Sequence, residues 1–516
     1  SAVTFSALTT SSRSTSQSSK KSGKFEDGVT ADEIESAIAR VGDADKEEVK
    51  RIIERFRVVS PFGNPLSEPT EFNLMFSTTL GATGLQRCYL RPETAQGIFV
   101  NFKRLLDFNQ GRLPFAAAQI GYSFRNEIAP RAGLLRVREF PMAEIEHFVD
   151  PLKKQTHPKF DKVAHQILTL LPRSGQTSNS PMLVRMSMKD AVYGPEKCVD
   201  NETLAYFMAR IHLFLIKCGI DGEKLRFRQH LSNEMAHYAT DCWDAECLTS
   251  YGWIECVGCA DRSCYDLQQH SIATEIDLVA ERPLNPPVER ESYTLKLDRK
   301  QIGVNFKEKS LGVCSAFYKM KDDKLAEIFE KLSVAGDQPI SVDVRGEKIE
   351  VCKGMVSVRK VMKRVEREEF VPSVIEPSFG IGRVLYCIWE HNIRVRPDDA
   401  QRVYFTLPDT VAPYSCTVLP LSGQADLLKM CERVSEILRD NAINHRVERS
   451  SSTSIGKRYA RCDEIGIPYA VTIDFDSLKM DDCTIRHRDS MQQIRVNVDQ
   501  VAQVIKRVST GSVSWA

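Results

Sequence analysis

The chain has 516 residues, with 70 basic and 69 acidic side chains and a formal net charge of +1. At about 150 residues per domain, this length predicts two to four domains. The near-neutral charge excludes a protein that attracts nucleic acid by its overall field, although a local basic patch is compatible with RNA. No apolar run reaches the roughly 20 residues that a membrane helix needs, so we predict a soluble protein with no membrane partner. The fifteen cysteines are spread along the chain, which indicates reduced thiols in a cytosol-like compartment.

The N-terminal segment has the composition of a tail. Residues 1–24 are rich in serine and threonine, contain no acid and carry four basic side chains. This composition cannot build a packed core, so we predict a disordered tail at 1–24. A basic, serine-rich leader also resembles an organellar transit peptide, and both interpretations stay open. Apolar residues at three- and four-residue spacings then predict a small helical segment at 25–58.

The rest of the chain divides into a long core and a C-terminal domain. Residues 59–396 form the predicted core, with one amphipathic helix at 94–108 and a long apolar helix at 203–218. The stretch from about 284 to 370 begins beside three prolines and is rich in Lys, Glu and Val, so we interpret it as an insertion. Beyond residue 401, short β-runs alternate with helices, which predicts a separate α/β domain at 401–516 with a partly parallel sheet.

The stretch 124–148, FRNEIAPRAGLLRVREFPMAEIEHF, has the pattern of a hairpin. Arg125 and Glu127 precede a break that contains proline and glycine, and Glu144 and Glu146 share a face further on. Alternation with period two on both sides of the break predicts strand, turn and strand. Such a hairpin presents cations and then carboxylates to one side of a sheet. That arrangement suits a polyphosphate beside an ammonium group or Mg2+.

Several motifs agree in order with one known family. They are RPETAQGIF (91–99), FRNE (124–127), RVREF (136–140), MAEIEHF (142–148), WIECVG (253–258) and VIEPSFGIGR (374–383). The set resembles class II aminoacyl-tRNA synthetases, in detail the glycyl-tRNA synthetases of the eukaryotic type, and the resemblance covers nearly everything after about residue 56. It implies an α+β fold: a mainly antiparallel sheet of six or seven strands with flanking helices, followed by a C-terminal α/β anticodon-binding domain.

The resemblance also implies ATP as a substrate, handled with Mg2+. Arg125 resembles the arginine that grips the α-phosphate and the attacking carboxylate, and Arg383 the arginine that holds the terminal phosphate; we expect both to be catalytic. A preorganised guanidinium stabilises the charge that develops at phosphorus. Glu255 has apolar neighbours, which suggests a carboxylate that points inward, and Glu255 or Glu376 is expected to hold Mg2+. The implied ATP-binding residues are Arg125, Asn126, Glu127, Arg136, Val137, Glu255, Cys256 and Arg383.

The amino acid that the resemblance implies is glycine, which offers only an ammonium group, a carboxylate and two hydrogens. Carboxylates that bind the ammonium group, with a tight wall against any Cβ, are the available means of selection, so no editing domain is required. The residues that match the family's glycine-binding positions are Glu93, Glu144, Glu376, Pro377 and Ser378.

The implied function is that of a glycine–tRNA ligase, which forms glycyl-adenylate from ATP and transfers glycine to the 3′ end of tRNA(Gly). Lys457, Arg458 and Arg461 are expected to bind the tRNA, together with a second basic cluster at Arg486 and Arg488; a solvated charged surface explains each of them equally well. The expected compartment is the cytoplasm, with a mitochondrion or another organelle as the alternative.

The family's N-terminal motif 1, which builds a homodimer in full-length members, is not found before Glu93. We therefore expect either a fragment of a longer protein or a protein that has lost motif 1. Two other functions remain under consideration: a catalytically retired synthetase-like protein that binds RNA or supports a partner, and an ATP-dependent carboxylate ligase without tRNA. A structural zinc at Cys256, Cys259 and their neighbours is disfavoured, because one C-x2-C pair with irregular further cysteines is a weak zinc pattern.

Overall fold

The computed structural model describes residues 46–60, 62–70, 72–176, 182–232, 234–235, 239–333, 339–344, 347–397, 399–449 and 453–515. The predicted tail at 1–24 and most of the predicted helical segment at 25–58 lie outside these residues. The chain divides into two compact units, Ser1–Leu278 together with Pro372–Ala516, and Val279–Val371. Within the described residues, no helix is both long and apolar enough to cross a membrane.

The first described helix of the large unit is α1 (Lys46–Arg55), and the elements that build most of the main sheet follow it. The strands are β1 (Ser77–Leu80), β2 (Gln86–Tyr89), β3 (Phe115–Phe124), β4 (Glu139–Val149), β5 (Ile167–Leu171), β6 (Val184–Ser187), β7 (Leu225–Gln229), β8 (Asp241–Thr249) and β9 (Gly252–Ser263). The helices are α2 (Ala95–Val100), α3 (Phe102–Phe108), α4 (Arg173–Gln176), α5 (Met188–Tyr193), α6 (Glu202–Lys217) and α7 (Tyr265–Thr274).

The small unit, Val279–Val371, contains the segment predicted as an insertion. Its two long strands pair antiparallel, and three helices and a hairpin enclose a separate apolar core. The strands are β10 (Ala280–Leu297), β11 (Ile340–Val344), β12 (Glu347–Val351) and β13 (Val356–Phe370), and the helices are α8 (Arg299–Phe306), α9 (Ser310–Tyr318) and α10 (Asp322–Ser333).

The chain returns to the large unit and ends in an α/β arrangement. The strands are β14 (Ser373–Gly380), β15 (Ile393–Arg396), β16 (Asp399–Phe405), β17 (Cys416–Pro420), β18 (His445–Val447), β19 (Tyr469–Ile473), β20 (Asp482–His487) and β21 (Gln493–Asn497). The helices are α11 (Ile381–Asn392), α12 (Ala425–Asp440), α13 (Ile455–Glu464), α14 (Ser477–Met480) and α15 (Val501–Ser509).

An eight-stranded sheet positions the candidate site. Its order is β3-β4-β14-β9-β8-β7-β5-β6, and every neighbouring pair is antiparallel except β5 with β7. The apolar helix α6 begins at Asn201, whose side chain accepts a hydrogen bond from the Leu204 backbone and so caps the first turn. Helices α6 and α11 cover the sheet with apolar side chains, and both contribute to the largest core.

The predicted α+β fold is confirmed, with two differences in detail. The main sheet has eight strands where six or seven were predicted. The single helix predicted at 94–108 is two helices, α2 and α3, which are separated at Asn101. The Asn101 side chain donates a hydrogen bond to the Gly97 carbonyl, because asparagine competes for backbone groups and so favours such breaks.

A second sheet of the large unit lies in the C-terminal region, in the order β18-β17-β19-β20-β21. Strand β17 is parallel to both β18 and β19, and the remaining pairs are antiparallel. The central strands β17 and β19 are buried along their whole length, as expected of strands covered on both faces. The partly parallel sheet predicted for this region is therefore present.

Candidate active site

An open cleft of about 780 Å³, which includes solvent-filled space, lies beside the end of β14 and the first turn of α11. The loop between β3 and β4 forms one wall, and β9 forms the floor. Seven of the eight predicted ATP-binding residues line this cleft: Arg125, Glu127, Arg136, Val137, Glu255, Cys256 and Arg383. The fold thus brings residues that are up to 258 positions apart in the sequence, and that were predicted to bind ATP, into one cavity.

The predicted hairpin is regular only at its ends. Strands β3 and β4 pair antiparallel from Phe115–Phe148 to Phe124–Glu139, but the residues between them form a wide loop that contains a β-bridge between Arg131 and Arg136. The Arg125 backbone N–H donates a hydrogen bond to the Arg138 carbonyl. The side-chain Nε of Arg125 lies 3.3 Å from the Pro92 carbonyl oxygen. The guanidinium lies 5.6 Å from the Phe140 ring centroid. These contacts hold Arg125 at the cleft wall.

Arg383 lies at the start of α11, opposite the loop. Its Nε donates to the Leu135 carbonyl at 3.2 Å, and its Nη1 donates to the Glu255 carbonyl at 2.9 Å. The same Nη1 lies 3.5 Å from the Glu255 carboxylate, which is 53% exposed. The expectation that the Glu255 side chain points inward is therefore wrong: the strand directs this carboxylate into the open cleft.

Asn126 does not line the cleft. Its backbone N–H donates to the Leu74 carbonyl at 2.6 Å, and its side-chain nitrogen lies 3.3 Å from the Asn73 carbonyl oxygen. Asn126 therefore anchors the start of the loop to the segment that precedes β1.

A group of acidic side chains that includes Glu93, Glu144 and Glu376, called the acidic group below, lies next to the cleft. The Glu144 carboxylate accepts hydrogen bonds from the backbone N–H groups of Thr94 and Ala95 and from the Thr94 hydroxyl. These donors are at the N-terminus of α2, where orphan N–H groups and the helix dipole favour a negative charge. Thr94 makes no side-chain cap of its own, so a carboxylate from β4 caps this helix.

Glu376 lies in the same acidic group and is buried. Both of its carboxylate oxygens accept from Arg262 Nη1 at 2.9 Å, and Arg262 also bonds Asp266 and lies 3.5 Å from Glu93. Burial raises the pKa of Glu376 to about 7; Arg262 opposes this shift, while Glu144 and Glu93 add to it. The acidic group contains several carboxyl groups but only one guanidinium, that of Arg262. It therefore attracts an added ammonium group.

The acidic group and the cleft meet at Ser378. This residue lines the cleft, and its hydroxyl donates a 3.0 Å hydrogen bond to Glu144, its neighbour across the β4–β14 pair. The side chain of Pro377, predicted at a glycine-binding position, lies on the opposite face of β14 from Glu376 and Ser378, because side chains alternate along a strand. Its ring lines an apolar groove with Phe379, and only its backbone is available to the acidic side.

The prediction of a Mg2+ ligand at Glu376 is not supported, because both oxygens of this carboxylate are engaged by Arg262. Glu376 also pairs with Ala260, five residues along β9 from Glu255. At about 3.3 Å per residue, this separation is roughly 16 Å, so one ion cannot bind both. Glu255, an exposed oxygen donor beside the cleft arginines, has the chemistry that Mg2+ prefers.

Sequence reasoning missed Arg262 and Asp266 as parts of this site, and it singled out Glu146 only as a carboxylate on the same face of the predicted hairpin as Glu144. The available signal was a charged pair four residues apart, Arg262 and Asp266, at the end of an otherwise apolar strand. Glu146 shares the buried face of β4 with Glu144, as its spacing of two predicts, but its role requires the fold. Both carboxylate oxygens of Glu146 are buried without a hydrogen-bond partner in the described part of the chain.

Glu146 is a buried acid whose surroundings in the fold favour the protonated form. Burial raises its pKa well above the ordinary value, Glu376 adds to the shift, and Arg262 opposes it. Below the pKa that Glu146 has in the unfolded chain, its carboxyl group is protonated in both the folded and the unfolded state, so it does not make the free energy of unfolding depend on pH. As the pH rises, the unfolded state ionises first, so stability is lost until the pH passes the folded pKa.

We therefore expect Glu146→Gln to gain stability relative to the parent as the pH rises. The difference in unfolding free energy should increase by about 1.4 kcal/mol per pH unit above pH 4.5. Urea unfolding of both proteins at pH 5, 6 and 7 measures this slope, and the exposed Glu196→Gln variant is the matched control. A difference that is constant with pH would show that Glu146 is ionised in the folded state.

Comparison with known proteins finds two family matches along the chain. Residues 82–392 match the tRNA synthetase class II core domain (G, H, P, S and T), and residues 415–508 match the anticodon binding domain. The glycine–tRNA ligase of Bombyx mori is 50% identical over 486 residues, which cover 94% of this chain and 65% of that protein.

The chain belongs to the glycine–tRNA ligase family of class II aminoacyl-tRNA synthetases. The glycine–tRNA ligase of Drosophila melanogaster is 48% identical over 97% of this chain and 65% of its own length. Glycine–tRNA ligase 1, mitochondrial, of Saccharomyces cerevisiae is 47% identical over 96% of this chain and 71% of its own length. The chain thus spans about two thirds of the length of the curated relatives that it matches.

In the region that matches the anticodon binding domain, the basic residues predicted to bind tRNA fall into two groups. Lys457 and Arg461 are exposed on α13. Arg458, between them, is 1% exposed and donates to the carbonyls of Pro420 and Leu421. Arg458 therefore joins α13 to the end of β17, and the prediction that it contacts RNA is not supported.

Arg486 and Arg488 are also buried in this region. Arg486 makes two hydrogen bonds to Asp463, and Arg488 donates to the carbonyls of Leu407 and Gly466. Both arginines join elements within the fold, so the second predicted basic cluster is structural. Charge alone, without burial, could not separate these arginines from the exposed ones.

Proposed function

We propose that this chain carries the adenylation site of a glycine–tRNA ligase. The observation that supports this most strongly is the Ser378–Glu144 contact, which joins a cleft lined by two arginines to a buried acidic group. A triphosphate and an amino acid bound in these two places are neighbours. Their reacting groups, the α-phosphorus and the carboxylate, then face each other at the junction.

In the proposed first step, a glycine carboxylate oxygen attacks the α-phosphorus of ATP, and pyrophosphate leaves. Arg125 stabilises the charge on the α-phosphate, and Arg383 holds the terminal phosphate. The acidic group that includes Glu93, Glu144 and Glu376 binds the ammonium group. In the second step, the terminal ribose hydroxyl of tRNA(Gly) attacks the acyl carbon, and AMP leaves.

Mg2+ is part of the proposal, with Glu255 as its protein ligand. When bound, the ion neutralises phosphate charge and eases the departure of pyrophosphate. Glu255 suits this role because its carboxylate is exposed in the cleft and 3.5 Å from Arg383. Burial raises the pKa of Glu255, and the nearby Arg383 and Arg125 oppose this shift.

Transfer of radiolabelled glycine to tRNA(Gly) tests the whole function. We expect acid-precipitable glycine that requires both ATP and this tRNA. If the chain binds tRNA(Gly) but neither forms adenylate nor charges the tRNA, the retired RNA-binding alternative is correct. Adenylate formation without charging would instead indicate the carboxylate ligase alternative.

We further propose that tRNA(Gly) contacts the exposed side of α13. The double variant Lys457→Ala/Arg461→Ala should weaken tRNA binding and lower its salt slope by about 2, because two phosphate contacts are lost. The same variant should leave glycine-dependent ATP–pyrophosphate exchange unchanged. An unchanged salt slope would exclude this face.

Arg458→Ala provides the contrast on the same helix. Because the buried guanidinium bonds two carbonyls, its loss should lower the unfolding free energy by about 3 kcal/mol, measured by urea unfolding. Destabilisation equal to that of Lys457→Ala would contradict the structural role of Arg458.

The proposed compartment is the cytoplasm or the interior of an organelle. All fifteen cysteines are free, which fits a reducing environment. A homodimer is the proposed assembly of the full-length protein, and light scattering after size-exclusion chromatography measures it.

A further inference from the structure

Three cysteines meet beneath the floor of the cleft. Cys247 comes from β8, Cys256 from β9 and Cys387 from α11, and their sulfur atoms all lie within 4.8 Å of one another. The Cys256 and Cys387 sulfurs are 3.5 Å apart. The three residues are 0%, 2% and 0% exposed. Because they come from three elements up to 140 positions apart, no sequence spacing reveals the group.

The geometry of the three sulfurs fits a single ion. A central ion with metal–sulfur bonds of about 2.3 Å places three surrounding sulfurs roughly 4 Å apart. The observed sulfurs therefore need to move by less than about 1 Å. In contrast, Cys259, the second cysteine of the C-x2-C pair in the sequence, is buried but is not part of the group.

The number and type of ligands select the class of ion. Thiolates prefer soft ions such as Cu(I) and zinc. Structural zinc is almost always four-coordinate, and within the described residues no histidine, fourth cysteine or carboxylate joins the three sulfurs. Cu(I) accepts three sulfur ligands in a plane, so a three-thiol group is suited to it.

We propose that Cys247, Cys256 and Cys387 form a binding site for one soft monovalent ion of the Cu(I) class. The ion binds without any change in oxidation state, and the thiols that become ligands release their protons to solvent. The route to the site is the cleft, because Cys256 also lines it. This proposal does not depend on the proposed function.

Binding at this site acts on the cleft through α11. Cys387 lies one turn after Arg383 on that helix, and Arg383 bonds the carbonyl of Glu255, the residue before Cys256. An ion that joins β9 to α11 therefore fixes the segment that carries Arg383.

Anaerobic titration with Cu(I), in competition with a chromophoric Cu(I) chelator, tests the proposal on the full chain. We expect one tightly bound equivalent, which is lost in Cys387→Ser and in Cys256→Ser but kept in Cys352→Ser, whose parent thiol is exposed. The same tight equivalent in Cys387→Ser as in the parent would overturn the proposal.

X-ray absorption at the copper edge of the loaded parent protein does not depend on the folding of a variant. Three sulfur ligands at about 2.3 Å are expected. Two sulfurs, or a shell that contains nitrogen or oxygen, would overturn the proposal. The failure of either experiment leaves the glycine–tRNA ligase proposal untouched, because neither one measures adenylation.

Discussion

Replacing Arg125 by alanine should lower kcat/KM for glycine-dependent ATP–pyrophosphate exchange by about 10²- to 10³-fold, the usual cost of removing one preorganised group that stabilises transition-state charge. Arg383→Ala should have an effect of similar size through the terminal phosphate. Both residues line the cleft and are held by backbone carbonyls at their Nε atoms, so the guanidinium ends are already oriented before ATP binds.

The matched control is Arg112→Ala, because Arg112 is exposed and does not line the cleft. It removes the same positive charge from the same unit and should leave exchange unchanged. Initial rates over a range of ATP and glycine concentrations separate kcat from KM. A loss of less than fivefold in both Arg125→Ala and Arg383→Ala would contradict the assigned roles.

Replacing Arg262 by alanine should have the largest effect on stability, a loss of about 3–5 kcal/mol. Arg262 is buried, and it bonds Asp266 and Glu376 while lying close to Glu93. Its removal leaves these carboxyl groups in a low-dielectric environment without their guanidinium. They must then take up protons or admit water, and either change costs folding free energy.

Urea unfolding followed by circular dichroism measures this loss. Arg185→Ala is the control, because Arg185 is 63% exposed and pairs with the exposed Glu223; exposed pairs of this kind contribute about 0–1 kcal/mol. If the two variants unfolded at the same urea concentration, Arg262 would not be the cation that holds the acidic group together.

The sequence was sufficient to predict which residues of the short motifs come together in the structure. Arg125, Arg383, Glu144 and Ser378 were predicted from motifs of four to ten residues, and the structure brings their side chains to one cavity or its edge. A motif of this length includes both the reactive side chain and the residues that form the turn or strand around it. It therefore predicts the identity of the residue and its local backbone geometry at the same time.

The sequence was insufficient where a role depends on distant partners. Glu144 caps a helix about 50 residues earlier in the chain, and the partners of Arg458 and Glu376 lie 38 and 114 residues away. Whether an arginine is exposed or buried, or whether a carboxylate is free or bonded, is decided by such contacts. The predictions of a tRNA contact at Arg458 and of a Mg2+ ligand at Glu376, which the structure does not support, both depended on such contacts.

Secondary structure was missed for a related reason. Strand β20, Asp482–His487, has only two apolar residues, Cys483 and Ile485, among polar neighbours, and no strand was predicted there. Both apolar side chains are fully buried, and pairing with β19 and β21 on either side holds the strand. Tertiary pairing outweighs a weak local pattern in such a strand.

The most direct test of the central claim is ATP–pyrophosphate exchange by the parent chain with glycine, with alanine and with no amino acid. The account predicts Mg2+-dependent exchange with glycine and little or none with alanine, because the acidic group binds the ammonium of either amino acid, but the tight wall expected at this site leaves no room for a Cβ. Exchange of equal size with alanine, or no exchange with glycine when the folded chain is saturated with both substrates, would contradict it.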